Sequence, residues 1–142
     1  MNRNVHGTLV LLGDRGLLIT GASGSGKSSL ALDLIAHAEG FARLVSDDQV
    51  LLESRSRGRL VGRVPPVIGG RIEIRGIGIV ARIFEKRAII DLIVELVEPD
   101  SIERMPEPME RDGVPFVRVP WRDCARARQH VAAALDRAKS GL

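Results

Sequence analysis

The sequence has little cysteine, few aromatic residues and no long uninterrupted hydrophobic run. Its only cysteine is Cys124, which excludes an internal disulfide and a cysteine-based zinc cluster and suits a reducing cytoplasm. There is no tyrosine and only one tryptophan, so few rings are available to stack on single-stranded nucleic acid. The apolar stretch near residues 88–97 is interrupted by Asp91 and Glu95, so neither a signal peptide nor a membrane span is predicted. We expect a cytoplasmic protein that binds neither nucleic acid nor membrane.

Charge is spread along the chain. The formal net charge is +3, and the basic residues are interleaved with acidic ones instead of forming a block, so no nucleic-acid interface is indicated. A chain of 142 residues is long enough to bury a hydrophobic core without disulfides or a structural metal. Residues 1–142 are therefore predicted to form one domain.

Short apolar runs predict a series of β-strands. Residues 8–12 and 16–20 are apolar and are separated by a Gly-Asp-Arg turn, which is typical of a β-hairpin. Ile72 and Ile74 alternate with charged residues, as on a half-buried strand, until Gly76 interrupts the pattern. Further strands are predicted at residues 42–46, 50–52, 59–64, 88–97 and 117–119.

Two helices are predicted. Apolar residues recur at helical spacing over residues 27–38, and Gly40 ends the pattern. Asp123 is a candidate N-cap for a second helix that ends at Gly141. Because the strands outnumber the helices and do not alternate with them regularly, the predicted fold class is α/β with a mixed β-sheet and flanking helices. The apolar face of the second helix consists of Ala127, Val131, Leu135 and Ala138.

A glycine-rich loop lies between the predicted hairpin and the first helix. It fits the Walker A pattern, in which backbone N–H groups and a helix N-terminus surround phosphate oxygens. Lys27 would neutralise the terminal phosphates of a nucleotide, and the Ser28 hydroxyl would bind Mg²⁺. The predicted nucleotide-binding residues are Gly21, Ala22, Ser23, Gly24, Ser25, Gly26, Lys27 and Ser28.

The phosphate loop alone does not identify a reaction. The Asn-Lys-x-Asp segment with which GTPases read guanine is absent, and the chain is short for an ATPase motor. Two classes remain open on the residues alone: a small kinase and a nucleotide-binding module without catalysis.

Several polar residues outside the loop are candidates for chemistry. Asp47 and Asp48 follow a predicted strand, where carboxylates can hold Mg²⁺ or accept the proton of an attacking hydroxyl, although a solvated turn explains them equally well. Glu73 is either a second metal carboxylate or part of a surface ion pair. His6 is either a phosphate-contacting imidazole or an uninvolved histidine near the terminus.

Taken together, these motifs resemble the catalytic domain of the HPr kinase/phosphorylase family. His6-Gly7, the loop at residues 21–28, the acidic pair at residues 46–48 and the Glu-Ile-Arg-Gly-x-Gly-Ile run at residues 73–79 match the family in order and approximate spacing. The last run is the most specific element, because a Walker A motif belongs to many families. The resemblance covers nearly the whole chain.

The resemblance implies a P-loop fold related to phosphoenolpyruvate carboxykinase and transfer of phosphate from ATP, with Mg²⁺, to a serine of an HPr-like phosphocarrier of the bacterial phosphotransfer system. By this resemblance Lys27 contacts the transferring phosphoryl group, and Ser28 and Glu73 hold Mg²⁺. Asp48 accepts the proton of the target serine, and His6 is the active-site histidine. Many members form hexamers, so a hexameric homo-oligomer is expected.

A further active-site residue follows from a shorter match. Glu103-Arg104-Met105 resembles an Asp-Arg-Leu segment of the family, which makes Arg104 the implied catalytic arginine. Such an arginine would stabilise charge on the transferred phosphoryl group. The segment between Gly78 and Arg104 is shorter than in the family, and the alternative for Arg104 is a solvated loop charge.

The sequence also departs from the family. Longer members carry an N-terminal domain, whereas His6 lies at the start of this chain, so a short form without that domain is expected. Ser29 stands where many bifunctional members have glutamate, and residues 121–124 replace a Pro-Gly-Arg run associated with phosphorolysis. We therefore predict a serine kinase that has lost phosphorolysis. The alternatives are a regulatory nucleotide-binding module without turnover and a small-molecule P-loop kinase.

Overall fold

The chain folds into a β-rich domain with two α-helices. The computed structural model describes residues 2–140. Two short 3₁₀ turns, at Ser56–Gly58 and Pro99–Ser101, lie in connections between strands. The elements are β1 (Asn2–His6), β2 (Thr8–Leu12), β3 (Arg15–Gly21), α1 (Lys27–His37), β4 (Ala42–Ser46), β5 (Gln49–Ser54), β6 (Leu60–Arg63), β7 (Arg71–Ile74), β8 (Gly78–Ala81), β9 (Arg87–Val97), β10 (Met109–Arg111), β11 (Val114–Pro120) and α2 (Cys124–Ser140).

Nine of the strands form one mixed sheet, and β7 and β8 form a separate hairpin. The main path runs β1-β5-β6-β9-β3-β2-β4, and β10 and β11 join it through β9. The strand β9 pairs in parallel with β3 and β11 and antiparallel with β6. A mixed sheet with flanking helices is thus confirmed, and β9 is the strand around which it is organised.

The sheet buries both of its faces. Successive residues of a strand point to opposite faces, so Leu17 and Ile19 of β3 lie in one hydrophobic cluster while Leu18 lies in the other. The first cluster also contains Leu30 of α1 and Val131 of α2, so both helices cover the same face. Full burial of each such aliphatic side chain contributes roughly 1.5–3 kcal/mol.

The second helix begins directly after Asp123, the N-cap that the sequence predicted. The Asp123 side chain accepts a hydrogen bond from the Arg126 backbone N–H at 3.2 Å, which satisfies one of the free donors of the first turn. Ala127 and Val131 are buried, as predicted. The expected stop at Gly141 lies outside the described residues. Among residues 2–140, no helix has the length and hydropathy needed to cross a membrane.

Most predicted strands are confirmed, and three strands had no prediction. The hairpin of β2 and β3 pairs Leu9 with Leu18. The strand β1 was missed because its exposed polar residues show no apolar alternation, and its pairing with β5 defines it. The glycine at position 76 does not end the structure, since the Ile77 N–H donates to the Ile74 carbonyl in a turn that leads into β8. The short strand β10 lies in a proline-rich stretch that predicted only irregular structure.

Candidate functional site

The phosphate loop connects the end of β3 to the start of α1. Gly21 has φ 147°, and a Cβ there would lie 2.7 Å from Ser25 Oγ. Gly26, the residue before the helix, has φ 97°, in the left-handed region that favours glycine. The loop therefore needs glycine at both ends of its turn, and it directs the free N–H groups of the helix into a cleft.

The Lys27 side chain is held inside this loop. Its ammonium donates to the carbonyl oxygens of Gly21 and Ala22 at 3.0 and 3.1 Å. Burial lowers the pKa of Lys27 from its ordinary value, while the nearby charges of Asp48 and Asp47 act in the opposite direction. A positive charge is thus fixed in the loop, where a phosphate group would be neutralised.

Asp47 is a buried junction between three parts of the fold. Its Oδ1 accepts hydrogen bonds from the hydroxyls of Thr8 at 2.8 Å and Ser28 at 2.7 Å. Its Oδ2 accepts the backbone N–H of Glu73 at 3.2 Å. One carboxylate therefore aligns the loop serine with Glu73. Sequence reasoning missed this role for Asp47 and missed Thr8 entirely, because hydrogen bonds across the fold leave no signal in local sequence.

Asp48 lies next to His6 at the mouth of the cleft. His6 Nε2 and Asp48 Oδ1 are 2.7 Å apart, although the two residues are 42 positions apart in the chain. The antiparallel pairing of β1 with β5 places His6 opposite Gln49, which brings the two side chains together. Asp48 has φ 72°, a left-handed conformation that aspartate tolerates better than most residues.

The cleft beside the loop has a volume of about 440 Å³. Eight residues named from sequence line it together, and they come from four separate segments of the chain. This grouping unites a phosphate loop, a lysine, two carboxylates and a histidine in one concave site. The eight are His6, Ser23, Gly24, Gly26, Lys27, Ser28, Asp48 and Glu73.

Arg104 is not brought to this cleft. It is exposed in the connection between β9 and β10, and it is not among the described residues that line the site. No residue of the connection that contains it, residues 98–108, is buried. The catalytic role implied for Arg104 stays a prediction.

The cleft has additional lining residues that sequence reasoning did not propose. The segment after β11 contributes Arg122 and Cys124, and a Cβ on Gly26 would lie 3.9 Å from the Arg122 backbone nitrogen. The Arg122 guanidinium lies 4.6 Å from the centre of the Trp121 ring.

The Cys124 thiol is partly buried in this lining. Burial raises the pKa of the Cys124 thiol, and the charges of Asp33 and Asp123 raise it further. The departure from the family pattern thus lies within the site itself. Arg75 of the Glu-Ile-Arg-Gly run also lines the cleft.

The oxygen atoms in the cleft suit a hard divalent cation. Ser28 and Glu73 line the same cleft, and the Asp47 carboxylate accepts hydrogen bonds from the Ser28 hydroxyl and from the Glu73 backbone N–H. Among the described residues there is no group of three or more His, Cys, Asp or Glu side chains arranged around a common metal position. Mg²⁺ usually takes only one or two carboxylates in addition to substrate phosphates and water, so this donor set fits Mg²⁺.

The chain is similar to known proteins over most of its length. The chain is 40% identical over 108 residues to the HPr kinase/phosphorylase of Geobacter sulfurreducens, which covers 70% of this chain and 33% of the relative. It is 37% identical over 129 residues to that of an Acidovorax species, which covers 81% of this chain and 40% of the relative. The chain therefore spans about a third to two fifths of the length of these relatives.

A solved structure and a family model complete the comparison. The structure of the Hpr(Ser) kinase/phosphatase from Coxiella burnetii matches with a TM-score of 0.78 and 25% sequence identity, covering 98% of this chain and 92% of that chain. The model of the HPr Serine kinase C-terminal domain matches residues 1–120. That match covers the phosphate loop, the acidic pair and Glu73, so this chain belongs to the HPr serine kinase C-terminal domain family.

Proposed function

We propose that this chain is an ATP-dependent protein kinase that phosphorylates a serine of an HPr-like phosphocarrier. The observation that carries the proposal is the grouping of His6, Lys27, Ser28, Asp48 and Glu73 around one cleft. Relatives that share 37–40% identity bear the name HPr kinase/phosphorylase, which supports this substrate class.

The loop and Lys27 supply the nucleotide-binding part of the proposal. Free N–H groups at the start of α1 and the Lys27 ammonium together offer several donors to the phosphates of ATP. Since phosphoryl transfer depends mostly on positioning and charge neutralisation, such a cradle supplies much of the required rate acceleration.

Ser28 and Glu73 would hold Mg²⁺, with Asp47 orienting the Ser28 hydroxyl and anchoring the backbone at Glu73. When bound, the cation neutralises charge on the phosphates during transfer.

Asp48 is the proposed proton acceptor. The target serine hydroxyl loses its proton to the Asp48 carboxylate as its oxygen bonds to the γ-phosphorus, and the bond between that phosphorus and the β–γ bridging oxygen breaks to release ADP. The hydrogen bond from His6 keeps the Asp48 carboxylate at the mouth of the cleft, where a protein substrate has access.

The direction of transfer is a separate part of the proposal. Ser29 and the Trp121–Cys124 segment depart from the bifunctional pattern, and on this basis we expect phosphorolysis to be lost. Incubating the phosphoserine form of the carrier with inorganic phosphate tests this. Formation of pyrophosphate would contradict it.

Location and assembly follow from the same family resemblance. We propose a cytoplasmic protein that assembles into a homo-oligomer, with a hexamer as the expected state. Light scattering coupled to size-exclusion chromatography measures the assembly directly, and a monomer at micromolar concentration would contradict the expectation.

A nucleotide-binding module without turnover is the second candidate. The observation that favours it is the position of Arg104, which is exposed and outside the lining of the cleft. Under this alternative, nucleotide binds and partner binding responds to it, but no phosphate is transferred.

One experiment separates the candidates. Purified protein is incubated with ATP, Mg²⁺ and an HPr-like carrier, and the intact mass of the carrier is then measured. The proposed kinase adds the mass of one phosphate, and replacing the target serine by alanine abolishes the shift. No mass shift together with measurable ATP binding would instead support the module without turnover.

A further inference from the structure

A second groove lies at the opposite end of β9 from the phosphate loop. It has a volume of about 600 Å³, and its lining shares no residue with that of the cleft. Arg87 at the start of β9 lines the groove and Leu96 near its end lines the cleft, so the two sites are roughly 30 Å apart along the strand. The charged part of the groove consists of Arg55, Arg57, Arg59 and Arg87.

The positive charge of this groove is largely uncompensated. Arg55 forms an ion pair with Glu53 at 2.6 Å. Across the part of the chain that the structure describes, Arg57, Arg59 and Arg87 have no hydrogen-bond or ion-pair partner for their guanidinium groups. Three arginines therefore line one groove without a carboxylate partner among the described residues.

A like-charge contact on the neighbouring strand adds to this excess. Arg63 of β6 lies directly opposite Arg87 of β9 in the antiparallel register. Like charges in directly opposite positions destabilise a sheet. The hydrogen bond from Arg55 lowers the pKa of Glu53, and the charge of Arg63 acts in the same direction, so the Glu53 carboxylate favours its ionised form and is already paired with Arg55. A bound anion would relieve this repulsion.

The turn between β5 and β6 holds its arginines in a defined conformation. The Arg55 backbone N–H donates to the Arg59 carbonyl at 2.7 Å, which closes the turn. Arg57 has φ 66° and Gly58 has φ 71°, so the turn uses two consecutive left-handed residues, one of which is not glycine. The closed turn therefore holds the backbone of Arg55, Arg57 and Arg59 in a fixed conformation along one side of the groove.

Apart from Ser56, the rest of the groove is apolar. Val61 and Ala88 are nearly buried, whereas Ile89 is 42% exposed and forms an open apolar surface beside Arg87. A volume of this size falls within the range of small-molecule sites, roughly 300–1,000 Å³. The groove thus combines a cluster of cations with an adjoining apolar surface.

We propose that this groove binds a small molecule in which a diphosphate is joined to a flat, weakly polar body, the chemistry of a nucleoside diphosphate. Guanidinium groups bind phosphate oxygens through paired, charge-assisted hydrogen bonds, and several of them suit a ligand with two adjacent phosphates. The body of the ligand lies against Val61 and Ile89. This site is separate from the phosphate loop and does not depend on phosphoryl transfer.

The test measures binding of pyrophosphate and of ADP by isothermal titration calorimetry. The wild-type chain should bind each probe at two sites. Lys27→Ala weakens the loop site, so the binding that remains reports the groove. Adding Arg57→Ala and Arg87→Ala to this variant should weaken the remaining binding about tenfold or more, since two charge-assisted contacts are lost. ADP should bind the groove more tightly than pyrophosphate does.

Two controls make the result specific. The pair Arg82→Ala and Arg126→Ala removes the same charge from exposed positions outside the groove and should leave binding within about twofold. Arg57→Lys with Arg87→Lys keeps the charge and the fold but loses the paired geometry, and it should weaken binding measurably. Absence of saturable binding to Lys27→Ala, or equal weakening by the groove and control pairs, would overturn the proposal. Equal affinities for ADP and pyrophosphate would overturn the assignment of an apolar body to the ligand.

Discussion

His6 Nε2 lies 2.7 Å from Asp48 Oδ1, and this contact joins the first strand of the sheet to the proposed proton acceptor. Both side chains are more than half exposed, so the pair lies at the surface of the cleft, where a protein hydroxyl has access. The contact predicts that the two residues act as a unit.

Substitution of this pair should therefore be non-additive. Asp48→Asn should lower the rate of phosphate transfer by roughly 10²–10⁴-fold, because the proton acceptor is lost, while ATP binding changes little. His6→Gln should cost less, and the double variant should be no slower than Asp48→Asn alone. Initial rates of carrier phosphorylation measure all three.

His37→Gln is the matched control. His37 also contacts an aspartate, Asp33, at 3.4 Å, but it lies on α1 and does not line the cleft. Its rate should equal that of the wild type. Fully additive effects of His6→Gln and Asp48→Asn would contradict the prediction.

The buried junction at Asp47 predicts a specific effect of Thr8. Thr8→Val keeps the shape of the side chain but removes one donor from the Asp47 carboxylate, which should lower the free energy of unfolding by about 1–3 kcal/mol. Thr8→Ser keeps the hydroxyl, so it should lower the free energy of unfolding much less. Urea denaturation measures both variants, and equal losses would show that the Thr8 methyl group matters more than its hydroxyl.

Cys124 provides a chemical probe of the cleft. Because burial and the nearby Asp33 and Asp123 raise its pKa, the reactive thiolate is scarce at neutral pH, and alkylation by iodoacetamide should be several-fold slower in the folded than in the unfolded chain. The difference between the two alkylation rates should become smaller as the pH rises toward the raised pKa of Cys124. Mass spectrometry follows the reaction.

The same residue reports occupancy of the site. Since Cys124 lines the cleft, ATP should slow its alkylation further. Protection that persists in Lys27→Ala at the same ATP concentration would argue against binding at the loop.

Asp91 predicts how stability depends on pH. Burial raises the pKa of this carboxyl above its ordinary value of 3.8, while the Gly16 N–H and Arg15 act in the opposite direction. The folded state then holds the proton more tightly than the unfolded state does, so stability from this group declines as pH rises from about 4 through the raised pKa.

Asp91→Asn removes this dependence and keeps an acceptor for the Gly16 N–H. Its Tm should exceed that of the wild type at pH 7, and the difference should shrink toward pH 4. Asp14→Asn, at an exposed neighbouring turn, is the control. A lower Tm for Asp91→Asn at pH 7 would mean that the contact with Arg15 outweighs the cost of burial.

Local chemistry made part of this structure predictable. The hairpin of β2 and β3, the glycine loop and the N-cap at Asp123 depend on residues close together in the chain, and each was found where it was expected. The strand β1 was not predictable in this way, because its polar residues acquire a role only by pairing with β5.

The residues of the site likewise fall into two groups, those set by local sequence and those set by contacts between distant parts of the chain. By itself, the sequence determined that a phosphate-binding loop precedes a helix, since that motif is set by glycine conformations and a nearby lysine. Only the tertiary structure decided that Asp47 joins Ser28 to Glu73, that Cys124 lines the cleft and that Arg104 lies outside it. These relationships connect residues far apart in the chain, and they exist only once the sheet has brought its strands into register.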